Sequence, residues 1–281
     1  MRAGAIAVAL AVLSGAAPPA LAASYDDIVA KGEMVVAVYR DFPPFSERRN
    51  GTLEGIDVDL ARAIGQRMKL GVTFMELTAG ESVDDDLRNA VWKGHYLDHR
   101  VADLMMHVPV DRAFALRNTN VVIFGPYYRE RIALARNPDK VGASEGVAAF
   151  AEEKVGVETA TLPDLALASA EGGRLVGNVV HFPALDQAVH ALEGGQVAAV
   201  MGNETELAAA LGDQAPRFPV GPIAFPALGK SGWELGLAVK DSNHQLGYAV
   251  EDVMTALRKD GTVQAIFRRH GIPYVPPESD E

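Results

Sequence analysis

From Gly32 onward, short β-rich runs alternate with helical stretches, and this alternation restricts the fold more than any other feature of the chain. Strands separated by helix-length connections join by crossovers, so the pattern predicts α/β layers around a largely parallel sheet. A strand at 34–38 and a hairpin or strand edge at 51–56 precede a helix at 57–68. That helix places Val58, Ala61, Ile64, Gly65 and Met68 on one face, and Asp57 is the expected N-cap. Strands at 72–77 and 102–106 then flank a helix at 84–92, whose acidic start at Asp84, Asp85 and Asp86 suits the positive end of the helix dipole.

A second series repeats the arrangement. Strands at 131–135, 154–157, 178–182 and 197–201 are interleaved with helices at 146–153, 162–170 and 184–193. Pro and Gly interrupt 215–231 without periodicity. A strand at 234–239, an amphipathic helix at 243–259 and a last helix ending at Arg269 follow. The acidic, proline-rich tail at 273–281 is expected to fray. Two α/β lobes are thus predicted, and 281 residues suffice for two cores.

Composition narrows the function classes. The chain is 48% hydrophobic and 22% charged, which excludes disorder, collagen and coiled coil. It has no cysteine, so disulfides, thiolate metal sites and cysteine nucleophiles are excluded together. A formal charge of −11 disfavours nucleic acid as a partner. At the N-terminus, Arg2, the apolar run 5–13 and Ala20-Leu21-Ala22 have the form of a cleavable signal peptide at 1–22. The expected location is a bacterial periplasm. No apolar run approaches the roughly 20 residues a membrane span needs, so stable membrane insertion is not expected.

In open parallel sheets a ligand sits beyond the carboxyl ends of the strands, where loops and helix N-termini converge. In the first lobe this selects Tyr39, Arg40, Asp41 and Phe42, and the residues from His107 to Arg112. In the second it selects Glu158 to Thr161 and Gly202 to Glu204. His95 and His99 have the i, i+4 spacing of a helical metal pair, but Gly94 argues against a helix there, and no metal or cofactor is expected. Gly142-Ala143-Ser144-Glu145-Gly146 has the form of a hydrolase nucleophile elbow but follows a loop, where Ser144 is better explained as a helix cap. Glu158 and Glu204 are the available acids for an enzyme on this scaffold. Neither has an identifiable catalytic partner, so no enzyme is expected.

Several blocks, in order, resemble the family 3 periplasmic solute-binding proteins. They are residues 32–38, Phe42-Pro43-Pro44-Phe45, 53–60, Pro126-Tyr127-Tyr128, 236–240, 257–262 and His270-Gly271-Ile272-Pro273. The resemblance implies a type II periplasmic binding protein, with two α/β lobes joined by a two-strand hinge and a ligand cleft between them. It implies lobe 1 at 23–126 and 235–281 and lobe 2 at 127–234, with crossings near 127–131 and 234–236. The function implied is capture of a small polar organic ligand by lobe closure, and its presentation to an ABC permease.

Ligand contacts carried over on this basis are Tyr39, Asp41, Phe42, His107 and Arg112 from lobe 1, and Thr159, Thr161 and Asn203 from lobe 2. The family's carboxylate-binding Arg is matched either by Arg112, in Asp111-Arg112, or by Arg117, which has the more usual spacing to Tyr127. Its ammonium-binding acid is replaced by Asn203, and Glu158 would repel a carboxylate. The segment 103–110 also resembles solute-binding-like proteins encoded beside quinoprotein (PQQ) alcohol dehydrogenases. That implies an alternative role as accessory protein of such a periplasmic dehydrogenase.

Overall fold

The computed structural model describes residues 23–143, 145–223 and 232–278. The expected signal peptide at 1–22 and the Ser144 cap lie outside the described residues.

The elements run as follows in chain order. Helix α1 (Tyr25–Lys31) leads into strands β1 (Glu33–Tyr39), β2 (Glu47–Arg49) and β3 (Thr52–Glu54), then α2 (Ile56–Met68), β4 (Gly71–Leu77) and α3 (Val83–Leu87). Next come β5 (Leu104–Val110), α4 (Arg112–Arg117), the long β6 (Val121–Arg136), β7 (Val155–Glu158), α5 (Leu162–Ser169) and β8 (Val179–Phe182). The chain continues through α6 (Leu185–Glu193), β9 (Ala199–Asn203), α7 (Glu204–Leu211), β10 (Val220–Pro222), β11 (Gly232–Lys240), α8 (His244–Lys259) and α9 (Thr262–Arg269).

The strands are ordered β4-β1-β5-β11-β6-β9-β7-β8, with β10 also paired to β6. Both ends of this order are parallel, with β1 between β4 and β5, and β7 between β8 and β9. The middle is antiparallel, where β11 and β6 connect the two parallel halves. β6 makes the crossing directly. Up to Arg131 it pairs with β11, and from Ile132 onward with β9. Two-residue periodicity then sorts its side chains, with Ile132 and Leu134 entering one core and Ala133 and Ala135 another.

The N- and C-terminal segments share a core of Met34, Val36, Leu60, Ile64, Leu104, Val250, Met254 and Phe267, with Leu87, Val91 and Met105 on the opposite sheet face. Trp233, on β11, packs against this first core and against the one containing Ile132.

Four local expectations are corrected. The N-cap of α2 is Gly55, at φ 135°, because a Cβ there would lie 2.2 Å from the Phe45 carbonyl oxygen. Asp57 is therefore one residue inside the helix and fully buried. The helix expected at 84–92 is broken into α3 and a π-turn, Arg88–Trp92. Residues 146–153 form only a 3-10 turn, Val147–Ala151. The tail is held as far as Glu278, since Val275 accepts a hydrogen bond from the Arg129 backbone at 3.0 Å, Tyr274 packs at a tilt against Phe267, and the Glu278 backbone donates to Glu234 Oε1 at 2.7 Å.

Candidate functional site

A cavity of about 920 Å³ opens where the two lobes face one another. One wall comes from the β1–β2 loop and its surroundings, with Asp41, Phe42, Pro43, Pro44, Glu47, Arg49, Glu54 and Gly55. The other comes from the strand ends and helix starts of the second lobe, with Glu158, Thr161, Ala184, Leu185, Asp186, Asn203, Glu206, Ala209 and Ala210. Arg269 and His270, from the end of α9, complete the lining.

The β1–β2 loop is held by its own backbone. Phe42 and Ser46 exchange backbone hydrogen bonds, and the Ser46 hydroxyl donates to the Tyr39 carbonyl at 2.5 Å. Asp41 takes a left-handed conformation, φ 52°, which short polar side chains tolerate. On the facing wall, Thr161 caps α5 and its hydroxyl donates to the Glu158 carbonyl at 2.7 Å. This leaves the Glu158 carboxyl at the cavity. Asn203 ends β9 and donates its amide to Glu206 Oε1 at 2.5 Å, across one turn of α7.

The eight residues expected to contact a ligand divide evenly. Asp41, Phe42, Thr161 and Asn203 line the cavity, whereas Tyr39, His107, Arg112 and Thr159 do not. Tyr39 turns inward, donating to Asp86 Oδ2 at 2.8 Å, and burial together with that carboxylate raises its pKa. The Thr159 hydroxyl donates to the Phe182 carbonyl at 3.0 Å. Arg112 is exposed at the start of α4, and Arg117 pairs with Asp84 at 3.0 Å, so neither candidate for a carboxylate clamp reaches the cavity.

His107 lies within β5 rather than at its end, at φ 63°, opposite the register shift of β11 between Gly236 and Ala238. An irregularity of this kind redirects a side chain. The imidazole packs edge-on against Phe42 and Phe45, at 4.8 and 4.3 Å between ring centres, and Nδ1 lies 3.2 Å from Asp57 Oδ2. Tyr127 donates to the other Asp57 oxygen at 2.6 Å. His107 thus backs the Phe42 wall from behind.

Sequence reasoning missed Glu206, Asp186, Arg49, Arg269 and His270. Glu206 could have been found from its i+3 spacing to Asn203 at a helix start. The C-terminal pair could not, since it is brought in by tertiary folding. His95 and His99 lie around a turn, outside any helix. Among the described residues no group of three or more His, Asp or Glu is placed to hold a metal ion.

The cavity's electrostatics are lopsided. Arg49 is already paired with Glu47 at 2.6 Å and Arg269 with Asp59 at 3.0 Å. Burial pushes the Glu206 carboxyl up to about 7, with the neighbouring Glu130 and Glu158 adding to the rise and the Asn203 amide and His107 opposing it. Burial likewise raises Glu158, helped by Asp186. Glu130, itself 1% exposed, has no hydrogen-bond partner for Oε2 among the described residues.

Two lobes, two connecting strands and a cavity between facing strand ends are the fold that the sequence resemblance implied. Residues 34–91 match the model of the bacterial extracellular solute-binding proteins, family 3. The chain has the fold of a type II periplasmic binding protein. It is similar to an ancestral cationic amino acid solute-binding protein, with 19% identity over 87% of this chain and 97% of that one and a TM-score of 0.69. An amino acid ABC transporter substrate-binding protein from Streptococcus pneumoniae, bound to L-arginine, has 20% identity over 89% and 98% and a TM-score of 0.62. The holo arginine-binding protein of T. maritima has 21% identity over 87% and 100% and a TM-score of 0.56. No curated protein matches the chain. Among the described residues no helix is long and apolar enough to cross a membrane.

Proposed function

We propose that the chain is a periplasmic solute-binding protein that captures a small polar organic ligand by lobe closure and presents it to an ABC-type importer. The observation that carries this reading is the cavity lined from both lobes, because a ligand touching both walls stabilises the closed form selectively. Similarity to proteins bound to arginine supports an organic, nitrogen-containing solute. We take lobe 1 as 23–126 with 235–281, and lobe 2 as 127–234, with the leader at 1–22 removed on export. Asp41, Phe42, Thr161 and Asn203 act as direct contacts, while Tyr39 and His107 support the wall behind them.

Catalysis is not part of this reading. Of the two acids the sequence offers for catalysis, Glu204 is engaged by Arg131, and Glu158 faces Asp186 and Glu206, whose charges oppose its ionisation. The quinoprotein-associated segment 103–110 is used mainly for packing, with Leu104, Met105, Met106 and Val108 buried and Asp103 accepting from the Val35 backbone at 2.8 Å.

The test is a thermal-shift panel of amino acids, amines, organic acids, PQQ and metal ions, followed by small-angle scattering with any hit. A ligand at a hundredfold excess over its Kd should stabilise by about 2.7 kcal/mol and reduce the radius of gyration. Silence across the panel would overturn the transport reading in favour of a protein partner such as the dehydrogenase.

A further inference from the structure

The cavity has a charge pattern that an amino acid does not match. Five of its acids, Asp41, Glu54, Glu158, Asp186 and Glu206, form no ion pair with Lys or Arg among the described residues, although Arg49 lies near enough to Glu54 to feel its charge. Glu206, pushed up to about 7 by burial, is the acid whose ionisation a bound cation would promote. The two guanidiniums in the lining are each committed to another acid, and both alternatives for a carboxylate-binding arginine lie away from the cavity. An α-carboxylate entering here would meet surplus negative charge and no free guanidinium. Losing its hydration without a partner would cost more than its contacts return.

We propose that the ligand is a carboxylate-free organic polycation, a linear di- or polyamine, held with its ammonium groups against carboxylates of both walls. This rests on the binding-protein reading and names the ligand class of the same cavity. Three features favour it over a compact cation. Asp41 and Glu54 stand on one wall and Glu158, Asp186 and Glu206 on the other, so charge is distributed across the cleft. Between the acids lie Ala184, Leu185, Ala209 and Ala210, apolar surface suited to methylene segments. A volume of about 920 Å³ far exceeds what a lone ammonium or metal ion fills. Like charges on facing walls also oppose closure until a bridging polycation offsets them, which couples this ligand class to the conformational change.

The experiment is calorimetric titration of the mature chain with putrescine, spermidine, L-arginine, L-glutamate and magnesium chloride in parallel, with scattering on each. Spermidine or putrescine should bind about tenfold or more tightly than L-arginine, since an added carboxylate loses at least one favourable interaction. Glu158→Gln and Glu206→Gln should each weaken polyamine binding about tenfold or more, the loss of a charge-assisted hydrogen bond, while circular dichroism confirms the fold. Preference for arginine or glutamate with closure would overturn the polyamine assignment and leave the transport reading standing. Equal competition by magnesium would overturn it in favour of simple charge screening. Absence of heat and closure with every compound would overturn the polyamine assignment, and silence across the wider panel would take the transport reading with it.

Discussion

Asn203 and Glu206 stand one helical turn apart at the start of α7, and the Asn203 amide donates to Glu206 Oε1 at 2.5 Å. The acid that the end of β9 lacks is therefore supplied three residues later, on the same cavity wall. Its carboxyl is pushed up to about 7, mainly by burial, against an ordinary value of 4.5. Between those values the folded chain holds a proton that the unfolded chain releases, so this group favours folding below pH 4.5 and loses that contribution as pH rises through 7. The groups facing it are Asn203, Glu130, His107 and Glu158. Thermal melts of the ligand-free protein should show Tm falling from pH 5.5 to pH 8, and Glu206→Gln should remove about 1–3 kcal/mol of the stability loss over that interval. An unchanged slope in the variant would place the ionisation elsewhere.

Asp57 is fully buried and receives Tyr127 at 2.6 Å on one oxygen, with His107 Nδ1 at 3.2 Å from the other. Removing the Tyr127 hydroxyl leaves a carboxylate oxygen dry and without its donor. Tyr127→Phe should therefore cost about 1.5–3 kcal/mol in urea denaturation, because hydrogen bonds to charged groups lie in that range. Tyr128→Phe removes a neutral bond to the Thr205 hydroxyl, 3.1 Å long, and should cost about 1 kcal/mol. Equal losses would mean that the Tyr127 bond to Asp57 contributes no more than a neutral one.

Gly55 combines φ 135° with a Cβ position 2.2 Å from the Phe45 carbonyl oxygen. Gly55→Ala has to displace either the cavity loop or the start of α2, and strained backbone of this kind costs about 1–3 kcal/mol before any clash is relieved. The variant should melt lower and bind any cleft ligand more weakly. Gly51→Ala, at φ 82° with open space around the Cβ position, should lose stability without touching the cavity.

The strands were legible because β1, β5, β7 and β9 carry near-continuous apolar runs, as strands covered on both faces must. Their carboxyl ends pointed to Asp41, Phe42, Thr161 and Asn203 for the same reason: loop position follows from strand position. What was not legible depends on partners distant in sequence. Asp57 looks like a cap until Tyr127, seventy residues on, claims it. His107 is turned by a register shift against β11, which no local spacing encodes. Arg269 and His270 reach the cavity because α9 returns to the first lobe, where both contact Asp59. Tyr39, expected just beyond the first strand, is its last residue and is drawn inward by Asp86, an acid whose position in a helix start gave no hint of a buried role.

Trp233 offers a direct reading of lobe closure. It lies on β11, packs against cores on both sides of the crossing, and borders a smaller pocket of about 350 Å³ with Pro109, Thr161, Leu162, Pro163 and Asn203. Thr161 and Asn203 also line the main cavity, so motion of that wall changes the indole's surroundings. The other tryptophan, Trp92, packs on the far face of the first-lobe sheet, away from the cleft. Ligand binding should therefore shift or quench tryptophan emission in the parent protein and in Trp92→Phe, and the response should vanish in Trp233→Phe while calorimetry still reports binding. A response that instead follows Trp92 would show that the ligand acts on the first lobe alone, without bringing the two walls together.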